Sequence, residues 1–276
     1  MAEAIAKFRG DSVTLAATIA FATVRSKPPW ANRVTVQAPS ATLELITVGF
    51  GPKIEKLYIF DESLARGSRY QDFTKALTDR DTGTDSGTTL NAFQTLDRLY
   101  IGLKRRSRGL AVDVAGTNGA GTAAMVGEYF PAPGTVTDLT ITDGTFTTLT
   151  LAQDGLVTWT VPTGAWPLIT LREAVKGLAD DIGTDVPETE PLRWLRLRVD
   201  ANLTDTAISV DEITALLNTD VVGPGEDAEG FDVVRIASGN YPANAFPIGD
   251  EVGGIELVSA SITSAAAVNW FNVQGR

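Results

Sequence analysis

Neither cysteine nor histidine occurs anywhere in the 276 residues. Without cysteine there is no disulfide, no thiolate metal site and no thiol nucleophile. Without histidine the commonest general base and the commonest zinc ligand are missing, and a Ser-His-Asp or Cys-His mechanism is excluded. An enzyme built on this chain has only carboxylates, Lys, Tyr or a bound hard metal to work with. Positive charge is scarce too: 23 Lys and Arg stand against 34 Asp and Glu, for a net charge of −11. Wrapping nucleic acid needs a basic surface to neutralise phosphates, so direct nucleic-acid binding is not expected. The N-terminal run "SVTLAATIAFATV" follows Lys7 and Arg9 in the manner of a secretion signal, but Asp11 interrupts the charge pattern. The run is also too short to span a membrane. Residues 1–32 are expected as an arm or first strand, with no membrane partner.

What is present is alternation with a period of two. "RVTVQA" (33–38), "TLELITVGF" (42–50), "KIEKLYIFD" (53–61), "LVTWTV" (156–161), "LRWLRLRV" (192–199), "IELVSASIT" (255–263) and "AAVNWFNV" (266–273) all read as half-buried strands. Asp143-Gly144 and Asp154-Gly155 sit between Thr-rich segments and read as tight hairpins, making 135–161 a meander of three short strands. Helical signal is thin. Thr170 and Glu173 form a capping box for a short helix in "TLREAVKGLADD", while "SVDEITALLN" (209–218) fits a helix or a strand. Segments 79–90, 177–191 and 223–230 read as loops, the last ("GPGEDAEG") as a linker. The expected fold is mainly β: an antiparallel, jelly-roll-like β-sandwich with an N-terminal arm and one or two short helices. The expected division is an arm at 1–32, a sandwich at 33–220 and a C-terminal β extension at 221–276 packing on the sandwich.

Few residue patterns carry chemistry. "DRDTGTDSG" (79–87) sets Asp79, Asp81 and Asp85 among Thr and Gly, a spacing that can turn carboxylates around calcium. It is not an EF-hand, because Thr84 stands at position six and Leu90 at position twelve; a solvated polar loop is the plain alternative. Adjacent acid pairs occur at Asp61-Glu62, Asp180-Asp181, Asp211-Glu212 and Asp250-Glu251, but sequence neighbours do not by themselves make a glycosidase cleft. "AGTNGAGTAAM" (115–125) lacks phosphate-loop order and reads as a loop. Trp159, Trp194 and Trp270 lie in alternating runs and are expected to fill a core. Trp30 and Trp166 lie in loop-like sequence, where a tryptophan either stacks on a sugar or pins the loop. No cofactor is expected beyond the calcium candidate, and no enzymatic activity.

The densest cationic feature is the turn "LKRRSRG", with Lys104, Arg105, Arg106 and Arg108 in five residues. A solvated hairpin loop is one reading. A contact to a partner subunit, through an acidic patch such as 177–190 on a neighbour, is the other.

The order of several segments adds a resemblance. "LDRLYIG" (96–102) precedes "GLAVDV" (109–114), "VGEYF" (126–130), "DGLVTWTVPTGAW" (154–166) and "LRWLRLRVDANLTDTAIS" (192–209). Across residues 55–215 this resembles the jelly-roll-like β-sandwich modules of virion structural proteins of tailed bacteriophages. Where such modules carry a Trp-rich turn, this chain has "FPAPGTVTDL". The resemblance implies a structural or receptor-facing virion role. With no His or Cys, Thr/Ala/Val/Gly-rich strands and an apolar N-terminal segment, a chain built for packing is expected: a non-enzymatic capsid decoration or surface protein whose partners are itself and other virion proteins. A tail, baseplate or fibre component that binds a host surface glycan is the alternative.

Overall fold

The structure, a computed structural model, describes residues 4–37, 45–79, 81, 83–91, 93–205, 207–217, 234–237, 246–259 and 265–274. The strands in chain order are β1 (Ala4–Thr14), β2 (Val24–Ser26), β3 (Arg33–Gln37), β4 (Leu45–Pro52), β5 (Ile54–Phe60) and β6 (Tyr70–Asp72). Next come β7 (Arg98–Leu103), β8 (Gly109–Asp113), β9 (Met125–Ala132), β10 (Thr135–Leu139), β11 (Ile141–Asp143) and β12 (Gly155–Trp159). The last are β13 (Arg193–Val199), β14 (Glu212–Ala215), β15 (Val234–Ala237), β16 (Phe246–Pro247), β17 (Val252–Val258) and β18 (Ala265–Gln274). One short α-helix, α1 (Leu171–Val175), precedes β13. The protein is mainly β, as the alternation predicts, and its ladders are antiparallel. The expected linker at 223–230 lies outside the described residues.

The chain divides into two compact units. The first combines Met1–Lys53, Thr214–Leu217 and Gly223–Arg276. Its sheets have the orders β1-β18-β3-β16 and β15-β4-β17-β2. Val13, Val34, Val268 and Trp270 of the first sheet meet Ile46, Val48, Phe50, Ile255 and Leu257 of the second in one buried cluster. Apolar faces of two sheets closing on each other make a sandwich core. The N-terminal segment, expected as an arm or first strand, falls in this unit with the C-terminal strands. The N-terminal segment is β1, registered against β18 from Ala4↔Gln274 to Thr14↔Ala265. The physical reason is edge pairing: β1, β3 and β4 present open backbone groups, and the C-terminal strands β17 and β18 satisfy them.

The second unit comprises Ile54–Ile213 and Asn218–Val222. Its six-stranded sheet runs β10-β9-β13-β7-β5-β6 and its four-stranded sheet β11-β12-β8-β14. Leu99, Leu197 and Val199 from the first sheet and Val112 and Ile213 from the second line an apolar cavity of about 50 Å³. The other face of the six-stranded sheet is covered by α1. Leu171, Ala174 and Val175 pack there with Tyr58, Phe60, Tyr100, Phe130 and Trp194. Thr170 caps α1 as expected: its hydroxyl accepts from the Glu173 amide at 3.2 Å, and Glu173 Oε2 accepts from the Thr170 amide at 2.8 Å.

Two expectations change here. Strand β13 is not half-buried, because both its Leu195/Leu197/Val199 face and its Trp194/Arg196 face are covered. The segment 135–161 is not a meander either. Strand β10 pairs with β9 in the six-stranded sheet, whereas β11 pairs with β12 in the other. Gly144 and Gly155 do not make positive-φ turns. They let two backbones touch: a Cβ on Gly155 would lie 2.2 Å from Gly144.

Candidate interaction site

The basic turn joins β7 to β8, and its backbone is fixed from below. The indole Nε1 of Trp159 donates to the Ser107 carbonyl at 2.8 Å, and the Trp159 amide donates to the Arg108 carbonyl at 2.9 Å. Ser107 is fully buried, its hydroxyl accepting from the Gly109 amide at 3.1 Å and donating to the Gly109 carbonyl at 2.6 Å. A buried tryptophan with a satisfied N–H anchors the turn that an alternating strand alone leaves free. Arg106 reaches across to the 162–164 turn, donating to Pro162 O at 2.8 Å and Gly164 O at 3.1 Å.

The side chains of Arg105, Arg106 and Arg108 are half-buried and Lys104 is exposed. Lys104 lies 3.4 Å from Glu55 and 3.6 Å from Glu190. The charge of Glu55, and less strongly that of Glu190, raises its pKa. The Lys104–Glu190 pair is exposed on both sides and contributes little stability. Glu190 belongs to the acidic patch expected as a complement on a neighbour, and it meets the basic turn within the same chain. Arg193 also donates to the Lys104 carbonyl.

The acidic loop is organised by its own backbone. Asp79 Oδ1 accepts from the Asp81 amide at 3.0 Å and the Thr84 hydroxyl at 2.9 Å; Asp81 Oδ1 accepts from the Gly83 amide at 3.0 Å; Asp85 Oδ1 accepts from the Gly87 amide at 2.6 Å. These are Asx turns. Among the described residues no group of three or more His, Cys, Asp or Glu side chains is arranged to hold a metal ion. Asp211 faces this loop. Burial, then the charges of Asp85, Asp79 and Asp81, push its carboxyl above the usual range.

The most developed polar arrangement is one that the spacing of residues did not single out. On the α1-covered face of the six-stranded sheet, Arg196 donates to Glu128 at 2.7 Å and to Asp180 at 3.1 Å. Arg198 donates to the other oxygen of Glu128 at 3.1 Å, and Tyr70 Oη donates to the Asp180 carbonyl at 2.9 Å. Burial alone would raise the Glu128 carboxyl, but the hydrogen bonds and charges of Arg196 and Arg198 outweigh it and hold it below the usual range. Burial, reinforced by Asp180, pushes the Tyr70 phenol far up. Signals were present in "VGEYF" and "LRWLRLRV", but the pairing Arg196↔Glu128 exists only once the register is known.

The remaining candidates are structural. Trp166 is buried, its Nε1 donating to the Trp194 carbonyl at 3.1 Å, and Trp30 packs against the first unit's core, so both pin loops. Trp159, Trp194 and Trp270 fill cores as expected. Asp61 accepts from Ser63, Asp181 from the Gly177 and Gly183 amides, and Asp250 lies 3.9 Å from Lys27. In the 115–125 loop the Gly119 amide donates to Asp205 at 2.7 Å.

No family model matches the sequence, and no curated protein matches it. Among solved structures, a chain of the Streptococcus pneumoniae β-galactosidase BgaA is similar at 8% identity and a TM-score of 0.27. It covers 68% of this chain and 99% of that one, and the likeness is too distant to bear on fold or activity.

Proposed function

We propose that this chain is a non-enzymatic structural protein of a tailed-phage virion, a capsid decoration or surface protein whose partners are itself and other virion proteins. The observation that carries the reading is where the resembling segments fall. They form β7, β8, β9, β12 and β13, all in one sandwich unit, so the motif order follows one framework of strands. The jelly-roll connectivity belongs to this proposal. The internal use of charge supports it: Glu128 and Asp180 are engaged by Arg196, which suits packing better than proton transfer.

The partner contact is the basic turn, with Lys104 exposed and Arg105, Arg106 and Arg108 held on an anchored backbone, facing an acidic surface of another subunit. Gold-labelled antibody against the chain on intact particles tests the reading. Capsid labelling supports decoration, tail-tip labelling moves the protein to a tail, baseplate or fibre with a host-glycan role, and unlabelled particles overturn the virion assignment. No calcium-dependent shift in Tm is expected, since among the described residues Asp79, Asp81 and Asp85 are not arranged to hold a metal ion; a rise in Tm with millimolar calcium that a chelator reverses would assign them as ligands.

A further inference from the structure

A sheet edge presents backbone groups that invite another strand, and folded proteins keep most such edges short or interrupted. The edges here follow that rule with one exception. Strands β2, β6 and β11 have three residues each, β14 and β15 four, β10 five, and β16 two, one of them Pro247. Strand β1 has eleven and no proline, and among the described residues it pairs along one side only, with β18. From Lys7 to Thr14 its register is unbroken. Two contacts show which backbone groups face the open side. The Ser12 carbonyl accepts from Arg25 Nη2 at 2.8 Å. Phe271, opposite Phe8, gives its carbonyl to the Asn32 amide on the β3 side at 3.0 Å, so Phe8 and Phe271 do not exchange hydrogen bonds. The backbone of Phe8 therefore turns away from β18. Strand alternation turns Gly10 and Ser12 the same way.

The side chains of this edge select its occupant. Arg9 and Asp11 lie 3.5 Å apart on the face that Val13 buries; Phe8, Gly10 and Ser12 lie on the other. Consider a second β1 laid antiparallel across a two-fold axis at Gly10. Arg9 then stands opposite Asp11 of the other copy, and Asp11 opposite its Arg9. Of the registers centred from Phe8 to Ser12, this one alone opposes the two charges; centring on Arg9 or Asp11 opposes like charges. The same register makes the two Gly10 residues a hydrogen-bonded pair. Phe8 is 58% exposed, more than any other large apolar side chain among the described residues, and its ring leans over Gly10, with Cζ 3.5 Å from where a Cβ would stand. In the pair, two such rings cover the glycines from both ends, and aromatic cover compensates for a glycine in a strand. We propose that β1 is a self-pairing edge, through which two copies of this chain join antiparallel at Gly10 and merge their β1-β18-β3-β16 sheets into one. The contact is separate from the basic turn and does not depend on the virion assignment.

Sedimentation equilibrium of the full chain is expected to show a mass that rises with concentration toward twice 29.3 kDa. Arg9→Glu sets like charges opposite each other and is expected to abolish the dimer while keeping the parent's circular dichroism. The absence of cysteine allows an independent test of register. Across the proposed axis Gly10 meets its copy at about 5.5 Å between Cα atoms, within disulfide reach, whereas Thr14 stands about 27 Å from its copy. Gly10→Cys is therefore expected to give a covalent dimer on oxidation, and Thr14→Cys none. A chain that stays monomeric, as it would if this edge served a strand of a different protein, overturns the proposal. So does a dimer that Arg9→Glu leaves intact, or one that Thr14→Cys crosslinks as readily as Gly10→Cys.

Discussion

Arg196 sits where two carboxylates and an aromatic ring converge, with the Phe130 centroid 5.8 Å away. Replacing it strands Glu128 and Asp180 in a buried setting, which is worse than never having had the pair. Arg196→Ala is therefore expected to cost roughly 3–5 kcal/mol in urea unfolding. The same network sets a pH dependence. Glu128 has a depressed carboxyl, so its contribution is intact above the ordinary glutamate value of 4.5 and is lost as pH falls through the lower folded-state value. Asp211 has the opposite sign: its raised carboxyl penalises the folded state once pH exceeds the folded-state value. Asp211→Asn is expected to raise Tm at neutral pH, with the gain vanishing in acid as Asp211 protonates. Melts of both variants across pH 3–8, a window of about this width around the carboxylate range, read the two signs against each other.

Elements were readable from the sequence to different depths, and the reason is physical. Strands β12 and β18 follow from alternation, because their one-sided burial writes a period of two into the residues. The start of α1 follows from Thr170 and Glu173, because a cap is a local hydrogen-bond pattern; Thr170→Ala is expected to cost about 1 kcal/mol in thermal melts. Strand β13 alternates just as clearly, yet its arginine face is buried, since the cover is supplied by α1 and Asp180 from elsewhere in the chain. Gly144 and Gly155 looked like turn glycines and are close-approach glycines, a distinction that depends on which strands meet. The basic turn was visible as a charge cluster, but its anchor was not: Trp159 lies 52 positions away from Ser107. Trp159→Phe keeps the ring and removes the indole donor. Hydrogen exchange at residues 104–108 is expected to quicken in that variant, with the β7–β13 ladder unaffected.

For the whole molecule, the composition already bounded the chemistry, and the absence of histidine and cysteine needs no coordinates. The division into two units was not readable, because alternation gives strands and not their partners. If the basic turn meets an acidic subunit, replacing Arg105 and Arg108 by Ala leaves the fold unchanged by circular dichroism. It also weakens incorporation into particles, and added salt weakens the parent in the same direction. Incorporation that is insensitive to both changes rejects the contact.

The antiparallel match of β1 with β18 has a consequence in time as well as in space. Trp270 donates to Asp11 at 2.7 Å across 259 positions, so β1 waits for β18, made much later, before its sheet can form. The second unit, by contrast, is complete in the chain by Val222. On a ribosome the central sandwich can therefore fold while β1, β3 and β4 remain unpaired edges, and only release of the C-terminal strands ends that exposure. A chain truncated before Val252 is expected to retain the circular dichroism of the central unit yet aggregate through its orphaned N-terminal strands. Supplying a peptide of residues 265–274 in trans is expected to suppress that aggregation, by donating the β18 partner of β1 and β3.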